Sequence, residues 1–478
     1  MELHITLKGT RDLAKQITEQ LRDAITQGKL AAGTRLPPTR LLAEQLGVSR
    51  KTVADAYAHL TYDNLLVGRV GAGTFVNPHV PPVALPLQDN ELAGAAVIRH
   101  WRDAFMSMHH PTHTLRYDYL GGATGKHQFP HDEWRRCVLF ALRQGAQSRG
   151  LYSQAEGLPM LREAIARHIG FSRGVRCGSD DLLVTNGAQQ ALDLIARVLV
   201  EPGCTVAVED PGYPPARLLF AAQGARVVGV PVDGQGLQVD LIPDGTRLIY
   251  VTPAHQFPLG MPMSLERRLA LLERARELGA IIIEDDYDCE FRYEGRPTDC
   301  LQSLDRHGLV AYVGTFSKTL LPELRLGYLV APPGLRKALL SAKQLTDCHT
   351  ATLTQWAVAK FILDGYLLKH IRRCHAAYSS RREQLIERLE GDLAPWFERI
   401  HATAGFHLAI LDKGGLDIPL LIELAKQVEV GLYPLAPFYY SATPRTGLLM
   451  GYGCIETLDI PPSLDRLREL LQQLSPRA

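Results

Sequence analysis

Leu309-Val310-Ala311-Tyr312-Val313-Gly314-Thr315-Phe316-Ser317-Lys318 is an apolar run that breaks, after one glycine, into two hydroxyls and a lysine. A run with no polar alternation fits a strand buried on both faces, as in a parallel sheet. Similar runs occur at Leu182-Leu183-Val184-Thr185, Thr205-Val206-Ala207-Val208, Leu248-Ile249-Tyr250-Val251 and Ile281-Ile282-Ile283. Helical patterns such as Ala188 to Leu199 and Leu265 to Leu278 lie between them. The expected architecture is an α/β domain with a mostly parallel sheet. Ligands of such sheets sit at the carboxyl ends of the strands, so the residues that follow each run are read as one constellation.

Run 281–283 ends in Glu284-Asp285-Asp286-Tyr287-Asp288, which brings carboxylates toward the pocket that Lys318 enters. Run 182–185 leads into Asn186-Gly187-Ala188-Gln189, a glycine turn opening a helix, where free N–H groups and the helix dipole suit a phosphate. Run 205–208 ends in Glu209-Asp210-Pro211-Gly212-Tyr213, which puts an aromatic plate at the same edge. Taken singly these features are ordinary, because a lysine after a strand is usually solvated. Together, an amine, a carboxylate, a stacking ring and a phosphate seat are the requirements of pyridoxal 5′-phosphate.

The chain has 478 residues, about three times a ~150-residue domain, so more than one folding unit is expected. With 52 Lys/Arg against 51 Asp/Glu, any basic surface must be local. Eight cysteines are scattered without a C-x-x-C pair, which indicates neither a disulfide framework nor a structural metal. The N-terminus lacks an apolar signal core and no stretch approaches ~18 uninterrupted apolar residues. A cytoplasmic protein with no membrane partner is expected.

The proline-rich seam Asn77-Pro78-His79-Val80-Pro81-Pro82 reads as a linker. The expected division is a domain over 1–78, a linker over 79–115 and a second domain over 116–478. Leu13, Ile17, Leu21 and Ile25 mark one amphipathic helix ending at Gly28. Thr39 is the expected cap of a second helix stopped by Gly47, and Ser49 that of a third carrying Val53, Ala56, Tyr57 and Leu60. This layout is a helix-turn-helix. Residues 65–76, two apolar runs around Gly71 and Gly73, form a hairpin, or wing. Arg35, Arg40, Arg50, Lys51 and Arg69 fall at helix starts or in the wing, where they can reach phosphates or bases.

Residues 35–53, followed by Gly71-Ala72-Gly73-Thr74-Phe75-Val76, resemble the winged helix of GntR-type bacterial transcription regulators. The resemblance implies that Arg40, Arg50 and Lys51 touch double-stranded DNA, that Ser49 and Thr52 lie at the same helix start, and that the tip at Gly71 nears the minor groove. The second domain resembles the fold-type I aminotransferases, because Gly314-Thr315-Phe316-Ser317-Lys318 and Leu324-Arg325-Leu326-Gly327 are similar to their S-x-S-K and R-x-G motifs. By that resemblance Lys318 forms the Schiff base, Thr315, Ser317 and Arg325 hold phosphate, and Asp285 pairs with the pyridinium nitrogen. Tyr287 would meet the phenolic oxygen and Tyr213 would stack, while Gly187, Ala188 and Gln189 supply phosphate donors. Tyr152 would reach the phosphate of a partner subunit, which implies a homodimer. The fusion is similar to the MocR-type branch of the GntR family, a winged helix joined to an aminotransferase-like domain with a smaller C-terminal α+β subdomain.

Two departures bear on activity. Phe257 stands where the enzymes place an asparagine on the phenolic oxygen, with His255 nearby as a substitute. Leu449 stands in place of the arginine that clamps a substrate carboxylate, with Arg445 and Arg217 as replacements that would bind an effector. Loss of such a charge-assisted pair typically costs ~2–4 kcal/mol of affinity. The reading is a DNA-binding regulator that uses its pocket to sense a vitamin B6 species or an amino compound. A working aminotransferase with an accessory DNA-binding domain is the alternative, and a structural DNA-binding protein with a vestigial pocket a third.

Overall fold

The computed structural model describes residues 5–78 apart from 10 and 70, then 115–295 and 299–474. The chain divides into two compact units, residues 1–98 and 99–478. The expected linker lies, save its last residue, outside the described residues.

In the first unit, helices Leu13–Thr26, Thr39–Leu46 and Arg50–Tyr62 pack their apolar faces together. Ile17, Leu21 and Ile25 are all buried, as their four-residue spacing requires. The second and third helices are joined only by Gly47, Val48 and Ser49. Ser49 caps the third helix, its hydroxyl accepting from the Thr52 N–H at 3.1 Å. The expected cap at Thr39 is corrected: Thr39 is already helical, the capping position belongs to Pro38, and no side chain bonds the helix start. The Pro38 carbonyl accepts the first helical bond, from the Leu42 N–H at 3.0 Å, which makes Thr39 the first residue inside the helix. The wing is antiparallel, Leu66–Arg69 on Gly73–Val76, with Leu66 opposite Val76 and Arg69 opposite Gly73.

In the second unit an eight-stranded sheet runs in the order Leu182–Thr185, Gly327–Val330, Val310–Thr315, Ile281–Asp286, Thr246–Val251, Thr205–Asp210, Arg226–Asp233, Gly236–Leu237. Strand Gly327–Val330 is antiparallel to both its neighbours, and Gly236–Leu237 is antiparallel to Arg226–Asp233. The other pairings are parallel. Strands Leu182–Thr185, Val310–Thr315, Ile281–Asp286, Thr246–Val251, Thr205–Asp210 and Arg226–Asp233 therefore deliver their carboxyl ends to one edge. Both faces are covered by apolar clusters, and this explains why the central strands carry no polar alternation. A second, four-stranded antiparallel sheet, Phe397–Arg399, His407–Asp412, Gly447–Gly451 and Tyr433–Pro434, packs with helices Tyr366–Glu390 and Ile460–Leu474. This is the smaller α+β part. Among the described residues no helix is long and apolar enough to cross a membrane.

Candidate functional site

Six strands that run in one direction end together at one edge of the sheet, where ligands of such sheets sit. The centre is Asp285, buried at the end of strand Ile281–Asp286. Its Oδ2 accepts the Tyr250 hydroxyl at 2.7 Å, and its Oδ1 has no partner. Burial pushes its pKa up to about 6, opposed by the Tyr250 hydrogen bond. Lys318, three residues beyond strand Val310–Thr315, donates to the Gly122 carbonyl at 2.5 Å. Burial lowers its pKa, while Asp288 and Asp285 pull it back up. An amine biased toward its neutral form is a better nucleophile toward a carbonyl.

The next strand end builds an anion cradle. Gly187 has a φ of 79°, a turn that few other residues would adopt, and it starts the twelve-residue helix Ala188–Leu199. The first N–H groups of that helix have no carbonyl partners within it. Arg325 lies across the turn and donates to the Asn186 carbonyl at 3.0 Å; its own φ of 48° is a strained conformation typical of ligand sites. The Ser317 N–H donates to Thr315 Oγ1 at 3.1 Å, and the two hydroxyls are also 3.1 Å apart. Gly187, Ala188, Thr315, Ser317 and Arg325 are thus brought together. Gln189 is on the same first turn of the helix.

Tyr213 caps helix Pro214–Ala222 and meets Phe257 edge-on, ring centres 5.7 Å apart. Burial pushes its pKa up to about 12. Phe257 also packs on Phe438 and Tyr287. Tyr287 donates to the carbonyl of His255 at 3.0 Å, and the His255 ring turns to Asp288. Leu449 is buried in an apolar cluster with Leu259, Ala409 and Leu435. Arg217 lies over the Tyr440 ring at 4.4 Å, and Arg445 is exposed on the same 439–446 segment. Tyr152 is 86% exposed and meets the His349 ring edge-on.

Sequence reasoning missed Tyr250, hidden inside an apolar run, and the Gly122 contact, which comes from nearly 200 positions away. It also missed Asp210, whose carboxylate accepts from the N–H groups of Tyr440, Ser441 and Ala442 and from the Ser441 hydroxyl. An aspartate before proline at a strand end was the available signal.

At the other site, Arg35, Arg40, Arg50, Lys51, Arg69 and Gly71 are all exposed, while Ser49 and Thr52 hold the helix start. Arg69 stacks on Phe75 at 5.0 Å, and Arg40 leans toward Glu44 at 3.4 Å. The helix-turn-helix and wing therefore present an exposed basic rim.

The model of aminotransferases of class I and II matches residues 124–447, and that of bacterial regulatory proteins of the gntR family matches residues 13–76. A probable rhizopine catabolism regulatory protein, MocR, of Rhizobium meliloti is 36% identical over 458 residues, covering 95% of this chain and 92% of its own. The HTH-type regulator TauR of Rhodobacter capsulatus is 36% identical over 475 residues, covering 97% of each chain. The solved kynurenine aminotransferase of Pyrococcus horikoshii superposes with a TM-score of 0.70 at 29% identity, covering 76% of this chain and 93% of that one. With a winged helix at one end and an aminotransferase fold at the other, the chain belongs to the MocR-type branch of the GntR family of bacterial transcription regulators.

Proposed function

We propose that the protein regulates transcription by binding double-stranded DNA through residues 1–78 and pyridoxal 5′-phosphate through residues 116–478, the two joined by a linker over 79–115. The observation that carries the cofactor reading is the bare, buried Oδ1 of Asp285 beside the Lys318 amine, with an anion cradle one strand away. A protonated ring nitrogen would satisfy that oxygen, and a phosphate would satisfy the N–H groups at Gly187, Ala188 and Gln189 together with Thr315, Ser317 and Arg325. When bound, the cofactor supplies an aldehyde that captures amines. Lys318 would hold it as a Schiff base, Tyr213 would cover its ring, and Tyr287 and His255 would lie on the side of its phenolic oxygen. Tyr152, exposed in the single chain, would reach a partner subunit's phosphate in a homodimer. Arg217, which lies over the Tyr440 ring, and Arg445, which is exposed, would meet the anionic end of an amino effector.

Phe257 and Leu449 supply hydrocarbon where turnover calls for polar groups, which supports sensing over transamination. An effector shifts the regulator only by binding one of its states better. On the DNA side the contacts would come from Arg35, Arg40, Ser49, Arg50, Lys51, Thr52, Arg69 and Gly71.

The test is a titration of the full-length protein with pyridoxal 5′-phosphate. A visible absorption band is expected in the wild type and not in Lys318→Ala, and a wild type that stays colourless in excess cofactor refutes the assignment. Affinity for the region upstream of its own gene is expected to change with cofactor. Turnover of an amino acid with a keto acid at ~1 s⁻¹ or more would instead identify an enzyme.

A further inference from the structure

Beside the Lys318 pocket, side chains from three elements meet out of solvent: His255 after strand Thr246–Val251, Asp288 just past strand Ile281–Asp286, and His407 at the start of strand His407–Asp412. His255 and Asp288 are 1% exposed and His407 0%. His255 Nδ1 is 2.9 and 3.0 Å from the two Asp288 carboxyl oxygens. The two imidazoles are stacked at a tilt, centres 4.6 Å apart. His255 Nε2 lacks a hydrogen-bond partner, and the His407 ring faces the Pro258 carbonyl. A buried polar atom left so is costly, and packing alone does not explain it. Although the ligand-type atoms lie within 4.8 Å of one another, His255 Nδ1 is already engaged by a carboxyl, which favours a hydrogen-bonded cluster over a metal seat.

What the cluster holds is Tyr287. Its hydroxyl donates to the His255 carbonyl at 3.0 Å and lies 3.1 Å from His255 Nδ1. On its other side stands Phe257, ring centres 6.1 Å away, which offers no polar group. Burial lowers His255 and His407 to about 3 and raises Asp288 to about 8, so the cluster is close to neutral at physiological pH. The titratable groups around Tyr287 are Asp288, Asp285, Glu209 and Asp286, which with burial keep its phenol protonated; Lys318 faces Asp288, and Arg292 faces His255. Tyr287 is thus a fixed donor. A neutral His255 that donates Nδ1–H to Asp288 keeps its ring and its carbonyl in register for that hydroxyl, and His407 packs against the ring to hold its tilt.

We propose that His255, Asp288 and His407 are positioning residues that aim the Tyr287 hydroxyl at the Lys318 pocket, taking over the task of the amide whose place Phe257 occupies. The inference rests on the cofactor reading above. A hydrogen bond donated to an oxygen favours its charged form, so loosening Tyr287 raises the pH at which the visible band of the loaded protein changes.

The experiment follows that midpoint in the cofactor-loaded wild type, Asp288→Ala, Tyr287→Phe and the double variant. Asp288→Ala removes the acceptor of His255 Nδ1–H; it is expected to raise the midpoint by about one unit or more and to add nothing in the Tyr287→Phe background. Equal shifts in both backgrounds, or no shift in either, overturn the proposal. If Asp288→Ala fails to fold, His255→Gln replaces it. Nitrogen NMR of the imidazoles in the unsubstituted, cofactor-free protein gives a second readout. A neutral His255 with its proton on Nδ1 is expected at about pH 6, well above its depressed pKa, and an imidazolium there overturns the proposal. A wild type that never develops the band refutes the cofactor reading and this inference with it, whereas a band insensitive to the cluster refutes the inference alone.

Discussion

Tyr250 donates its hydroxyl to Asp285 Oδ2 at 2.7 Å, while Oδ1 of the same buried carboxyl has no partner. One oxygen is fixed by the sheet and the other is buried without a hydrogen bond. Burial is the larger influence on this carboxyl, raising its pKa from 3.8 to about 6. Asp285 therefore holds its proton more tightly folded than unfolded. The cost is absent below about pH 4, grows as the pH rises to about 6, and is then fully present, on the order of 3 kcal/mol before relaxation. Asp285→Asn should remove that pH dependence from the stability of the cofactor-free protein while weakening pyridoxal 5′-phosphate binding. Urea unfolding at about pH 4 and pH 7, together with a cofactor titration, checks both halves.

Arg173 and Asp286 form a buried ion pair, Nε to Oδ2 at 2.7 Å, and the Tyr312 hydroxyl donates to the same oxygen at 2.7 Å. Removing one charge strands the other. Arg173→Met is expected to destabilise the second unit by about 3–5 kcal/mol, and the Arg173→Met/Asp286→Asn double variant by less than the sum of the singles. Denaturant midpoints of the four proteins measure this.

Ser49 caps the third helix, and Arg50 is the first residue inside it. Ser49→Ala should cost about 1 kcal/mol of stability in the winged helix, with Ser49→Asp retaining most of it. Arg50→Ala should leave stability unchanged. It should weaken specific DNA binding by ~1–3 kcal/mol if it reads a base edge, or lower the salt slope by about one if it meets a phosphate. Binding curves at several salt concentrations distinguish the two.

Asp210 ties residues 440–442 to the sheet edge. Burial works against its charge, but the N–H groups of Ser441, Tyr440 and Ala442 and the Ser441 hydroxyl outweigh burial and lower its pKa. Its contribution is present above about pH 4 and lost as the pH falls through the depressed value. Asp210→Ala should free the segment that carries Tyr440 and Arg445. Faster amide exchange confined to residues 438–446, with strand Thr205–Asp210 still protected, is the expected result.

How far the sequence could be read depended on which residues carried the information. Runs such as Ile281 to Ile283 and Leu182 to Thr185 announced buried strands because hydrocarbon without alternation has few other uses, and helix Leu265–Leu278 fell where its periodicity put it. Ser49 was legible as a cap because a hydroxyl before a helix has a specific bond to make. Thr39 looked the same and is not one, since the Pro38 carbonyl takes the first helical bond and leaves Thr39 inside the helix. Strand Gly327–Val330, the antiparallel insertion, was read only as a motif, because four residues set no period. The His255, Asp288 and His407 cluster was illegible as a unit, as its members come from three separate elements. His255 alone hinted at it, and only its ring orientation, which no pattern encodes, showed what it faces.

Strand Gly327–Val330 lies between the turn at Gly187 and the strand that leads to Lys318. A Cβ at position 327 would sit 2.8 Å from the Gly187 carbonyl carbon and 2.9 Å from the Gly314 oxygen, backbone atoms on either side that cannot rotate away. Main chain presses on main chain there, with no soft layer between. The spacing between the Gly187 turn and the strand that leads to Lys318 is consequently set by peptide against peptide. A side chain at that narrow waist would force the two strand ends apart, so variation that keeps the frame must fall elsewhere.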